Sequence, residues 1–272
     1  MQYLLTNNFI WEFFIAELIS VAFLTLMSFL CTHFAKKYNH RNFVYPFFYA
    51  LATLTSAFIS FAVLRILAQI FEPKAMYEKI NNSIPPIVNP MVTLFYVFTY
   101  LFNPIKSQIH IANIWLIILG HFIGGIIGGL LWALIKKNRP SLNASYKNLT
   151  RIQIKELSWD AGFIFAFTIL TFIIQYVINK KSNNYILSST YTGLLTYIIL
   201  LVASWMLRLS FPTNIYVSTG SYVVSLFYDR DKIKANTTYL LFVASAYIIS
   251  TALVSLVYIE LPINHNSSLF IH

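Results

Sequence analysis

The chain has 272 residues, 58% of them hydrophobic and 10% charged, with a mean hydropathy of +0.66. Its 19 Lys and Arg and 9 Asp and Glu are too few, and too clustered between apolar runs, to coat a soluble domain of this size. A soluble fold is excluded, an all-α multi-pass membrane protein is predicted, and the net charge of +10 reads as headgroup contact and topology signalling, with no nucleic-acid partner.

Crossing a bilayer takes about 20 apolar residues in a helix. The first such run, Phe9–Phe34, carries Glu17 inside it in "FIAELISV", has no basic stretch before it and no small-residue cleavage site after it, and so reads as a span and not as a removable signal peptide. Phe43–Ile70 follows as the second span. Next comes "PPIVNPMVTLFYVFTYLF", where Asn89–Phe102 is apolar but far too short to cross, and is opened by Asn89 before a proline. At 1.5 Å per residue such a helix reaches the middle of the membrane and no further. It is predicted to be a re-entrant half-helix, tolerated at depth only where protein or a cavity surrounds it.

The third span, Ile111–Ile135, contains "GHFIGGIIGGLLWAL", in which Gly120, Gly124, Gly125, Gly128 and Gly129 repeat every four positions in two adjacent registers. Such a face lets neighbouring backbones approach closely. His121 within it reads as a structural hydrogen-bonding residue. The fourth span, Trp159–Ile178, opens with Asp160 in "LSWDAGFI", with Glu156 one turn earlier as the competing carboxylate, and the fifth is Tyr185–Leu207. A second short apolar segment, Asn214–Tyr228 in "LSFPTNIYVSTGSYVVSLFY", again begins at an asparagine near a proline. Tyr239–Leu261 completes six spans.

The two short segments hold matched slots, each after the second span of a triplet whose first span bears a carboxylate. Three spans per half is an odd number, so the second half is predicted to be inverted relative to the first, with repeats of about 9–135 and 156–262 in a single domain over 1–272. Two half-helix N-termini would then meet near the midplane and present unpaired N–H groups and positive potential there. Asn89 and Asn214 can cap those helices and still offer amide donors to a passing solute. Glu17 and Asp160, costly inside a membrane unless they face the interior, are expected to brace the irregular backbone before the half-helices.

No G-x-S-x-G, H-E-x-x-H, glycine-rich phosphate loop or cysteine pair occurs, Cys31 being the single cysteine, and no histidine has a second ligand at metal spacing. Neither an enzyme nor a cofactor or metal is expected.

Over Trp11 to Leu261 the pattern resembles the aquaporin and aquaglyceroporin family. "NPMVTL" at Asn89–Leu94 is similar to the family's first signature, with Met91 in place of Ala; "AEL" at Ala16–Leu18, "LAQ" at Leu67–Gln69 and "GHFIGGIIGG" resemble its first three spans, with His121 where Gln is usual. The second signature is matched in part by "NIYVSTGSYV", in which Asn214, Ser218, Gly220 and Val223 agree and Ile215, Tyr216 and Val217 replace Pro, Ala and Arg. The resemblance implies an aquaporin-like bundle of six transmembrane helices and two half-helices, a homotetramer with a pore in each subunit, and transport of water or small uncharged solutes such as glycerol.

It further implies a constriction at Asn89 and Asn214 and an outer selectivity filter of Ser60, Val202, Phe211 and Val217, with Phe61 replacing Ser60 if the register shifts by one. Valine at 217 gives up the family's fixed arginine donors, so a wider and more apolar filter is expected. Tyr216 beside the midplane leaves open a non-conducting protein of the same fold, and inverted repeats with broken helices also suit a secondary transporter. The plasma membrane is the expected location. With a cytoplasmic N-terminus the outer loops would carry 12 Lys and Arg against 5 on the inner side, the reverse of the positive-inside bias, while sequons at Asn143 and Asn148 would suit an outer loop. Orientation stays open at this point.

Overall fold

The computed structural model describes residues 11–37, 41–71, 88–104, 111–136, 154–181, 185–205, 214–228 and 230–260. Among them are eight α-helices: α1 (Trp11–Lys37), α2 (Arg41–Phe71), α3 (Pro90–Phe102), α4 (Ile111–Ile135), α5 (Ile154–Lys181), α6 (Tyr185–Trp205), α7 (Ile215–Tyr228) and α8 (Ile233–Glu260), the last preceded by a 3₁₀ turn, Arg230–Lys232. Five segments, Trp11–Ala35, Phe43–Phe71, Ile114–Ile135, Leu157–Ile174 and Arg230–Glu260, are long and apolar enough to cross a membrane, and the chain is an integral, multi-pass membrane protein. The expected fifth span is α6, whose apolar part, Ser189–Trp205, is shorter than the other five. Phe211, Asn143 and Asn148 lie outside the described residues.

Polarity is arranged for lipid. Phe47, Leu51, Phe58 and Ile66 of α2 are exposed, whereas Glu17, Ser56, Ser60, His121 and Asp160 are fully buried. Hydroxyls along the spans close onto their own helix. Ser20 donates to the Ala16 carbonyl at 2.6 Å, Ser28 to Leu24 at 2.8 Å and Thr251 to Tyr247 at 2.6 Å, which satisfies polar groups where no water reaches.

Helices α3 and α7 each begin at a point that is specified chemically. The Asn89 side chain accepts from the Met91 N–H at 3.0 Å, Pro90 occupies the first helical turn, and Asn103 closes α3 with its N–H on the Thr99 carbonyl. At 13 residues α3 is about 20 Å long. Helix α7 repeats the device, with the Asn214 side chain accepting from the Tyr216 N–H at 2.9 Å and the Val217 N–H at 3.4 Å.

The neighbour scheme is the same for the two halves of the chain. Helix α1 packs on α2 and α4 as α5 packs on α6 and α8; α2 meets α6; α3 lies against α4 and α8, and α7 against α8 and α4. The lighter contact of α1 with α7 has its counterpart in Phe95 of α3 against Phe172 of α5, ring centroids 6.4 Å apart. Exchanging α1–α4 for α5–α8 leaves the scheme unchanged.

The two glycine registers of α4 serve different partners. A Cβ on Gly124 would stand 2.5 Å from the Leu18 carbonyl oxygen, and one on Gly128 would collide with the Ala22 carbonyl, so this register lies against α1. A Cβ on Gly125 would collide with the Tyr216 carbonyl, and one on Gly129 would come 2.7 Å from that of Gly220, so the other register lies against α7. Backbone contact this close draws α7 into the bundle interior.

Candidate functional site

Asn89 and Asn214 open onto one cavity of about 40 Å³, room for a few water molecules at about 10–15 Å³ each. Its wall comes from both halves: Leu24 of α1 and Phe167 of α5, Thr53 of α2 and Thr196 of α6, with Tyr49, Val88, Ile199, Leu200 and Tyr247 filling the rest. The first two pairs are each separated by 143 residues, the interval that also separates Glu17 from Asp160. Each asparagine has its Oδ1 occupied in capping, while its Nδ2 donors have no acceptor among the described residues. Thr53 donates to the Tyr49 carbonyl at 3.0 Å and Thr196 to the Thr192 carbonyl at 2.8 Å, so each hydroxyl oxygen keeps lone pairs as an acceptor. The wall therefore supplies donors, acceptors and apolar surface together.

No protein-family model matches the chain, and no curated protein matches its sequence. The case for a function rests on the site itself.

None of the expected filter residues among those described lines this cavity. Ser60 lies on the same face of α2 as Tyr49 and Thr53 but two turns further along, where it donates to Glu17 Oε1 at 2.5 Å instead of lining the cavity. Phe61 is turned to Arg65, whose guanidinium sits 3.0 Å from the ring centroid. Val202 is 47% exposed, on the stripe of α6 shared with Leu194, Ile198 and Trp205, whereas Thr196, Ile199 and Leu200 face the cavity. Val217 is fully buried in the first turn of α7 and, like Met91 in α3, lines no part of the cavity.

Tyr216 is also absent from the wall. Its ring packs on His121 and Phe122, at centroid distances of 4.7 and 5.3 Å, and its hydroxyl lies 3.2 Å from Thr93 Oγ1.

The carboxylates are interior, as their cost in lipid requires. His121 Nε2 and Glu17 Oε2 share a hydrogen bond at 2.7 Å, both side chains fully buried, so Glu17 joins α1 to α2 through Ser60 and to α4 through His121. Asp160 is buried within electrostatic reach of the Tyr239 hydroxyl on α8. The backbone at 72–87 and 206–213, which Glu17 and Asp160 are expected to brace, lies outside the described residues, as does the Glu156 side chain.

The sequence reading missed the cavity wall. Leu24 and Phe167 each follow a span carboxylate by seven residues, two turns along the same helical face, and that shared spacing was the available signal.

Proposed function

We propose that the protein is a passive channel for water and small uncharged solutes such as glycerol, built on an aquaporin-like plan of two inverted repeats. The observation that carries this reading is the single cavity onto which both asparagine-capped half-helices open, walled by residues at matched positions in the two halves. The exchange-invariant packing of the eight helices supports the repeat.

A solute leaving water loses hydrogen bonds, and the site replaces them. Nδ2 groups of Asn89 and Asn214 donate to its oxygen; the Thr53 and Thr196 oxygens accept from its hydroxyl or water protons. Leu24, Phe167, Ile199 and Leu200 offer no partner, which keeps residence short. Two helix N-termini directed at the cavity place positive potential there, so cations meet both that potential and the desolvation cost of a narrow passage. The flux follows the solute gradient and needs no cofactor or bond chemistry. A homotetramer is part of the same proposal, as the family plan implies.

The test is osmotic and glycerol permeability of proteoliposomes by stopped-flow light scattering. Wild-type protein is expected to pass at least one of the two well above empty vesicles, with a low activation energy. Asn89→Ala combined with Asn214→Ala is expected to bring that flux to the empty-vesicle level while the protein still reconstitutes. Unchanged flux in the double variant would remove the asparagines from the mechanism.

A further inference from the structure

We propose that Tyr216 is a positioning residue that sets the spacing of the two asparagines and thereby the largest solute that passes; this rests on the channel reading above. The basis is a continuous path from one cap to the other. Asn214 Oδ1 accepts from the Tyr216 N–H at 2.9 Å; the Tyr216 hydroxyl lies 3.2 Å from Thr93 Oγ1; and Thr93 Oγ1 donates to the Asn89 carbonyl at 3.3 Å. Because the Thr93 hydrogen is directed at Asn89, the Tyr216 hydroxyl is the donor in the middle link. One tyrosine thus reaches from the first turn of α7 to the first turn of α3.

A crossbar works only if it cannot swing, and Tyr216 is held at both ends. Its carbonyl lies against Gly125, where no Cβ would fit, so its backbone is fixed on α4. Its ring is 2% exposed, between His121, which Glu17 holds at 2.7 Å, and Phe122. The cavity lies beyond this assembly: Asn89 and Asn214 line it, while Tyr216 and Thr93 do not. Tyr216 therefore acts on the solute through the asparagines, by limiting how far they separate, and not by contact. A phenylalanine keeps the ring packing and deletes only the link.

The discriminating quantity is the ratio of glycerol to water permeability in proteoliposomes of the full chain, since a purely structural role would lower both fluxes and leave their ratio alone. Tyr216→Phe is expected to raise the ratio by about 2- to 10-fold, the weight of one net hydrogen bond. Thr93→Val removes the same link from the other side and is expected to do the same, with the double variant no further changed than either single one. Thr93→Ser, which keeps the hydroxyl, restores the wild-type ratio. Should Tyr216→Phe fail to reconstitute, the Thr93 pair of variants carries the test. A wild-type ratio in Tyr216→Phe or Thr93→Val, with wild-type protein conducting, overturns the crossbar and leaves the channel standing; wild-type vesicles that pass neither solute overturn both.

Discussion

The α1/α4 and α5/α8 pairs occupy equivalent places in the neighbour scheme and are held together by different chemistry. In the first, Gly124 and Gly128 bring two backbones into contact, and a buried Glu17–His121 pair at 2.7 Å joins them. In the second, α8 has no glycine; Thr168 and Ser250 meet at 3.2 Å, Asp160 has the Tyr239 hydroxyl as its neighbour, and an apolar groove of about 360 Å³ remains between Phe165, Phe172, Leu253 and Val257. One architecture thus tolerates a close seam on one side and a loose one on the other. What the close seam adds is position: the same helix, α4, carries the second glycine register that seats α7 and the His121 ring that backs Tyr216.

The largest break in that comparison should come from α4. Gly125→Leu would drive a side chain into the Tyr216 backbone and is expected to cost about 3 kcal/mol or more, read as lost folded yield and a lowered thermal midpoint in detergent. A near-normal midpoint would mean α7 is not seated as described.

The carboxylates come next. Glu17→Ala leaves His121 buried without its carboxylate and is expected to destabilise by about 3 kcal/mol. Asp160→Ala, whose neighbour is a hydroxyl, should cost about 1 kcal/mol less. Equal losses in unfolding measurements on the two variants would erase the difference between the halves.

The smallest effect belongs to the groove. Leu253→Phe adds volume where space exists and is expected to change stability by less than about 1 kcal/mol. A large drop in the midpoint would show the second seam to be as tight as the first.

Much of the fold was legible because lipid imposes strong rules on sequence. Long apolar runs gave the spans, and two asparagines followed by short apolar segments gave α3 and α7 within a residue, since a cap is a local device whose acceptor and donors lie two or three positions apart. The glycine periodicity marked close packing correctly but not its partners, because any small-residue face suits any backbone. The cavity wall was the least legible part. Ser60 shares the cavity's face but not its level, and Val202 faces away from it; a shift of two helical turns or a third of a turn leaves composition and hydropathy untouched.

Sequence by itself determined that the chain is an all-α membrane protein, where its two short helices begin, and which few polar residues must turn inward, because desolvating a backbone or a charge in lipid is too costly for alternatives. Tertiary structure alone decided which of those residues meet. Glu17 finds Ser60 and His121, Tyr216 turns to Thr93, and Leu24 and Phe167 line one cavity that Tyr216 does not. Such pairings depend on the rotation and axial position of whole helices against one another, and those follow from close contact between residues as distant in the chain as Gly125 and Tyr216.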